Sequence, residues 1–253
     1  MLIALPNAYG DAATNMAIDA AILEGLPKGL AVFRHYGWLE PAVTFGYGQS
    51  YESVAAITSA GLSSTASADF AVPLTLCRRL TGGGIVDHRD DWTYALILHP
   101  SLACAKTPAT ELYEHIHRAI GRALESLDIE TQLAPCPKTC NSEMTRPRIP
   151  KDASQCFVTP AANDVLRSDG RKIAGAAMKR NRHGLLIQGS LDRAALPQDF
   201  DGVYFQRELR EQLASALSIP NGSLEDIRPL FNSERIEREK QRFESREWNQ
   251  RRE

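Results

Sequence analysis

Arg78-Arg79-Leu80-Thr81-Gly82-Gly83-Gly84-Ile85-Val86-Asp87-His88 is the stretch from which the rest of this 253-residue chain is best read. Glycine loses more backbone freedom on folding than any other residue, so three in a row beside strand-like sequence need a reason. Two reasons stand open: a tight turn, or a close approach of backbone N–H groups to an anionic or carbonyl oxygen. The two arginines upstream add fixed charge and planar donors. No Gly-Lys-Ser/Thr follows, so the segment is not a Walker A loop. Nor are its glycines spaced as in the GxGxxG of a dinucleotide site.

On the N-terminal side, Ala17, Ile18, Ala21 and Ile22 predict a helix from Thr14 to Leu26, stopped by Pro27 and Gly29. Ala31 to Tyr36 and Pro41 to Gly48 read as strands. Ile57 to Phe70, rich in Ala, Ser and Thr, has no clear period. Leu74 to Leu80 is apolar and basic and leads into the glycines.

On the C-terminal side, Thr93 to His99 reads as a buried strand ending at Pro100. Glu111 to Leu127 is the clearest helix, with Leu112, Ile116, Ala119, Ile120, Ala123, Leu124 and Leu127 on one stripe. Gln132 to Gln155 carries four prolines and two cysteines and reads as a long surface loop. Phe157 to Leu166, Lys172 to Arg180 and Gly184 to Leu191 follow as strands, with a hairpin turn at Asp169-Gly170. Phe205 to Leu217 is a helix. These elements suggest one unit over residues 1–232 and a charged tail over 233–253, a solvated or frayed helix whose few apolar residues are Ile236, Phe243 and Trp248. Strands mixed with helices, without a regular βαβ rhythm, indicate an α+β fold with a mixed, mainly antiparallel sheet and flanking helices.

Composition narrows the function. The chain is 43% hydrophobic and 24% charged, with a formal net charge of −2, the profile of an ordinary globular protein. That charge does not recommend nucleic acid as a partner. No apolar run is long enough to span a bilayer, and Met1 to Pro6 has no basic n-region or long apolar core. Five cysteines at irregular spacing favour reduced thiols in a cytoplasmic protein.

Three further features bear on chemistry. Lys172 sits among small and apolar residues in Gly170-Arg171-Lys172-Ile173-Ala174-Gly175-Ala176-Ala177. A desolvated lysine there polarises a carbonyl or stabilises an anion; the ordinary alternative is an exposed hairpin lysine. Cys156, where the long loop meets a strand, is a nucleophile if a cation lowers its pKa, and a packed, inert thiol otherwise. Cys136 and Cys140 have no second pair and no histidine at finger spacing, so no metal is expected. His115 and His117 are two apart on a helix and make a poor ligand pair.

Taken together, the motifs resemble those of lipoate–protein ligases and cysteine-dependent octanoyltransferases, a family related to biotin–protein ligases. Asn15-Met16-Ala17-Ile18-Asp19 is similar to the family's first helix. Phe33 to Trp38 and Pro41 to Gln49 resemble its first hairpin. Arg78 to His88 matches RRxTGGGxVxH, and Gly170 to Ala177, then Arg180 and His183 to Ser190, match its lysine strand and the next one. The resemblance implies a biotin/lipoate protein ligase-like catalytic domain, a mixed sheet with helices on one side and a narrow tunnel for an eight-carbon chain. Acyl or adenylate binding would fall to Arg79, Gly82, Gly83, Gly84, Ile85, Val86, Asp87, His88, Gly175 and Ala177, with Lys172 at the acyl carbonyl.

The family's two branches differ in how the acyl group is activated. Cys156-Phe157-Val158-Thr159-Pro160 resembles the segment around the transferase nucleophile, and the chain as given ends without the extra domain of many ligases. Gly84 and Asn163-Asp164 look ligase-like. The leading expectation is octanoyl or lipoyl transfer through a Cys156 thioester to a lysine of a lipoyl-domain carrier, as in glycine-cleavage or 2-oxoacid dehydrogenase complexes. Acyl carrier protein would be the donor, no cofactor would be needed, and the enzyme would be a monomer. The alternative is an ATP- and Mg-dependent lipoate–protein ligase, with Cys156 only packed. A non-catalytic lipoate-binding homologue is the third possibility.

Overall fold

Alternation along Ala31-Val32-Phe33-Arg34-His35-Tyr36 sends Ala31 and Phe33 to one face of a sheet and Val32 and Tyr36 to the other, and a separate core forms on each side. A computed structural model of the chain describes residues 1–60, 73–135 and 160–251. Its strands are β1 Leu2–Ala4, β2 Ala8–Gly10, β3 Ala31–Trp38, β4 Ala42–Phe45, β5 Thr75–Arg78, β6 Val86–Asp87, β7 Asp91–Leu98, β8 Thr131–Leu133, β9 Val165–Arg167, β10 Lys172–Asn181, β11 Gly184–Asp192 and β12 Asn221–Gly222. The α-helices are α1 Ala12–Gly25, α2 Tyr51–Ser59, α3 Ala109–Glu125, α4 Gly202–Ala216, α5 Ser233–Glu244 and α6 Arg246–Asn249.

The main sheet runs β12-β1-β3-β7-β11-β10-β9-β8, with β2 paired to the far end of β3. The β12-β1, β1-β3 and β2-β3 pairs are parallel; every pair from β3 to β8 is antiparallel. A small sheet, β5-β4-β6, carries the glycine-rich turn between β5 and β6. The mixed, mainly antiparallel sheet of an α+β fold is therefore present.

Helices cover both faces of this sheet, not the one face that the family resemblance implied. Helices α3 and α4 pack on Phe33, Tyr94, Leu96, Leu98 and Ile187; α1 and α5 pack on Val32, Ala95, Ile97 and Leu186. The cause is in the strands. Tyr94-Ala95-Leu96-Ile97-Leu98 and Leu185-Leu186-Ile187 are apolar at every position, so neither face can be left to water. Helix starts follow side-chain caps: Asp11, Ser50, Asp201 and Asn232 each accept a backbone N–H from the first turn of α1, α2, α4 and α5.

The charged segment from Ser233 is helical but not merely solvated. Phe243 and Trp248 are buried edge to face, 5.7 Å apart, and α5 lies along α1. Of the strand expected over Phe157 to Leu166, residues 157–159 lie outside the described residues; residues 160–164 are not extended in a sheet, and β9 begins at Val165. Cys136, Cys140 and Cys156 lie outside the described residues.

Candidate functional site

Between the main sheet and the small one lies a cavity of about 440 Å³, partly open to solvent. Its floor is a row of residues in register across four strands: Gly175 opposite Ser190, Ser190 opposite Thr93, Thr93 opposite Tyr36. Three interstrand steps of about 4.8 Å make that row about 14 Å long. The facing wall comes from Thr44, Arg79, Gly83 and Val86, and Met16 enters from α1.

Lys172 stands beside the Gly175 end of the row. Its side chain is 4% exposed and its Nζ is 2.8 Å from Asp164 Oδ2. Residues three apart on a regular strand point to opposite faces. Here the β9–β10 register shifts between Lys172 and Ala174, which resets the alternation. The lysine consequently lies across Gly175: a Cβ added there would stand 2.7 Å from both Lys172 Cε and Nζ. Any side chain at 175 would displace the ammonium. Asp164 is held in turn by the Ala161 N–H, 2.5 Å from Oδ2. The reading of Lys172 as an ordinary exposed hairpin lysine is overturned.

The glycine-rich turn is built around Arg79. Its Nη2 donates to the carbonyls of Gly82 and Gly84, both at 2.7 Å, and its Nε donates to Thr81 Oγ1 at 3.1 Å. Gly83 takes φ +86°, a conformation that side-chain-bearing residues rarely adopt, and a Cβ there would stand 3.0 Å from Arg79 Nη2. Thr81 Oγ1 donates to Gln188 Oε1 (2.8 Å), and Gln188 Nε2 donates to Asp19 Oδ2 (2.9 Å). Asp19 also accepts from Arg34 Nη1 (2.7 Å) and Tyr36 Oη (3.1 Å). Burial raises the Tyr36 phenol's pKa well above its ordinary value, which keeps the hydroxyl a donor. A buried polar chain thus ties α1, β3 and β11 to the turn. Arg78 faces the other way, donating to the carbonyls of Tyr47, Gln49, Trp248 and Asn249.

The Tyr36 end of the row is aromatic and polar. His88 sits between Thr44 Oγ1 (2.8 Å from Nε2) and Asp91 Oδ2 (2.7 Å from Nδ1), and Trp38 stacks on it at 3.9 Å. Trp38 Nε1 donates to Thr93 Oγ1 at 2.9 Å, and Ser190 Oγ donates to Asp91.

Of the residues expected to bind the acyl group or adenylate, Arg79, Gly83, Val86, His88, Gly175 and Ala177 line the cavity. Gly82, Gly84, Ile85 and Asp87 do not. Ile85 packs with Val43, Phe45 and Val54 in a separate small core. Asp87 pairs with Arg89 at the surface. A Cβ at Gly82 would meet open space. Sequence reasoning missed Thr44, Thr93, Gln188 and Ser190 as cavity residues. The signal was present: each is a polar residue inside an otherwise apolar strand. Among the described residues no cluster of His, Cys, Asp or Glu is grouped to hold a metal ion.

Comparison with known proteins agrees with this geometry. The model of the lipoyl protein ligase A/B catalytic domain matches residues 11–242. Octanoyltransferase LipM of Oceanobacillus iheyensis is 32% identical over 189 residues, covering 74% of this chain and 62% of that protein. The protein of that name from Geobacillus kaustophilus is 31% identical over 192 residues, covering 74% and 63%. The matches thus span under two thirds of these relatives' length. A Thermoplasma acidophilum protein solved with bound lipoic acid superposes with a TM-score of 0.69 at 18% identity, over 98% of this chain and 97% of that one. Lipoate-protein ligase A bound with ATP gives 0.66 at 16%, over 98% and 97%. At that identity the likeness is one of fold. The family match covers nearly the whole chain, the shared fold accommodates it, and the glycine turn lines a cavity whose Gly175 end abuts the buried Lys172: the chain belongs to the lipoyl protein ligase A/B catalytic domain family.

Proposed function

We propose that this protein transfers an octanoyl or lipoyl group from a carrier-protein thioester to a lysine of a lipoyl domain, through a thioester on Cys156. The observation that carries the reading is the buried Lys172–Asp164 pair laid across Gly175, at one end of a cavity floored by a 14 Å row. In this reading the acyl chain lies along the row and its carbonyl meets the ammonium. The Cys156 thiolate attacks the donor thioester, the donor thiol leaves, and the bound acyl group then passes to the incoming lysine amine with release of the Cys156 thiol. Lys172 stabilises the oxyanion that forms in both steps. The names of the LipM relatives support transfer over ligation. So does the commitment of Arg79 to the carbonyls of its own turn, since that guanidinium would have to leave them to hold phosphates. No described helix is long and apolar enough to cross a membrane; cytoplasmic residence and action as a monomer belong to the same proposal.

The test is intact mass after incubation with octanoyl-carrier protein alone. A covalent octanoyl adduct on the wild type, absent from Cys156→Ser, is the expected result. Iodoacetamide should label Cys156 ahead of Cys77, whose thiol burial pushes up to about 12. Full transfer by Cys156→Ser would end the thioester mechanism. ATP-dependent attachment of free lipoate by that variant would put the ligase reading in its place.

A further inference from the structure

His117 is buried at 1% exposure on α3, outside the cavity and unused by the mechanism above. Its Nδ1 stands 2.6 Å from the carbonyl oxygen of Asn163. A carbonyl only accepts, so Nδ1 carries the hydrogen and Nε2 is left as a bare acceptor. Nε2 has no hydrogen-bond partner among the described residues. Burial pushes the imidazole below its usual pKa, in keeping with a neutral ring.

The carbonyl that His117 grips belongs to the peptide plane joining Asn163 to Asp164. That plane is in an unusual position. Asn163 has φ +67°, and among the described residues its side chain donates to the Thr110 carbonyl, at 3.4 Å. The Asp164 N–H on the other side of the plane donates to the Ala161 carbonyl at 3.1 Å, which closes the turn. Asp164 then meets Lys172 at 2.8 Å, and Lys172 lies across Gly175. His117 on α3 is therefore the side-chain donor to that peptide's carbonyl, beside the backbone bonds from Asn163 N–H to the Ala134 carbonyl (3.0 Å) and from Ala134 N–H to the Asp164 carbonyl (2.8 Å) that tie the same turn to the end of β8.

We infer that His117 is a positioning residue for acyl transfer: its Nδ1–H fixes the Asn163–Asp164 peptide and so sets where Asp164 holds the Lys172 ammonium over the cavity floor. The inference rests on the proposed role of Lys172. It predicts an asymmetry that a merely space-filling histidine would not show. Asparagine places an amide N–H close to where Nδ1–H stands; glutamine places one nearer to Nε2; leucine supplies none.

The experiment measures kcat and KM for octanoyl transfer, together with thermal unfolding, for the wild type and for His117→Asn, His117→Gln and His117→Leu. His117→Leu should lower kcat by about 100-fold, the effect of a misplacement on the order of 1 Å at the reacting group, with KM for the lipoyl domain unchanged. His117→Asn should restore most of the rate and His117→Gln should not. Equal rates in the Asn and Gln variants overturn the inference even if the Leu variant fails to fold, and so does a Leu variant with wild-type kcat. A second readout needs no turnover: the 13Cε resonance of Lys172 should move in His117→Gln and return in His117→Asn. If the wild type transfers no octanoyl group, the proposed function fails, while that resonance still decides the positioning role. An unmoved resonance in both variants counts against it.

Discussion

Lys172 lies in the interior with its Nζ 2.8 Å from Asp164, and breaking such a buried pair leaves its other member without a partner. Replacing Lys172 by alanine should abolish acyl transfer. It should also remove about 3–5 kcal/mol of stability, because it strands the Asp164 carboxylate in the interior. Urea unfolding of Lys172→Ala and of the Lys172→Ala/Asp164→Ala double variant separates the two effects: the double variant should regain stability and remain inactive. Near-normal turnover in either would reduce Lys172 to a structural role. Gly83 makes the complementary case, since its φ of +86° is set by the turn that Arg79 clasps. Gly83→Val puts a β-branched residue where even Ala is strained by roughly 1–2 kcal/mol. It also brings bulk against Arg79 Nη2 and Ala177. Acyl affinity should fall further than the unfolding midpoint. A folded Gly83→Val with unchanged affinity would remove Gly83 from the site.

At the scale of elements, the C-terminal helices do more than decorate the surface. Trp248 Nε1 donates to the Arg78 carbonyl at 2.7 Å, and the carbonyls of Trp248 and Asn249 receive Arg78's guanidinium. Arg78 in turn spans the Tyr47 and Gln49 carbonyls, so α6 closes one end of the small sheet that carries the glycine turn. Trp248→Ala should destabilise by about 3–5 kcal/mol, the range for deleting a buried large aromatic, and should slow transfer without touching substrate. Chemical denaturation and a transfer assay check both. A loss under about 1 kcal/mol would mean that α6 is only draped on the surface. The sequence of this segment reads as solvated because charge dominates its composition. Phe243, Trp248 and Asn249 seat its end, and Arg235, Arg238 and Lys240 pair with Glu24 and Asp11 along α1; periodicity does not weigh such single contacts.

At the scale of the whole molecule, two histidines are kept neutral by burial. Desolvation lowers the pKa of both His35 and His117 from the ordinary 6.5. Above that pH neither state binds a proton at these rings, so they contribute no pH dependence. As pH falls below about 6.5 the unfolded chain takes up protons that the folded protein refuses, and stability declines toward the lower folded pKa values. Urea midpoints measured between about pH 8 and pH 5.5 should fall on the acid side, and His117→Asn should flatten that fall. A midpoint that is level across the window would show that both rings protonate freely in the fold.

Much of this molecule is legible from its residues alone, for local reasons. Uninterrupted apolar runs such as Tyr94 to Leu98 dictate buried strands, the stripe from Leu112 to Leu124 dictates α3, and Asp169-Gly170 dictates the β9–β10 turn. The glycine triplet and Lys172 stand out in the sequence because each sits badly in its local context. What only the tertiary structure decided depends on contacts between distant segments. A register shift of one residue turns Lys172 onto the face of Gly175. The cavity floor exists because four strands align Gly175, Ser190, Thr93 and Tyr36, residues scattered from position 36 to position 190 of the chain. Arg79 turned out to serve its own loop, and Asn163 to need His117, because a buried donor is spent on whichever acceptor packing brings to it, and packing is not written at any single position.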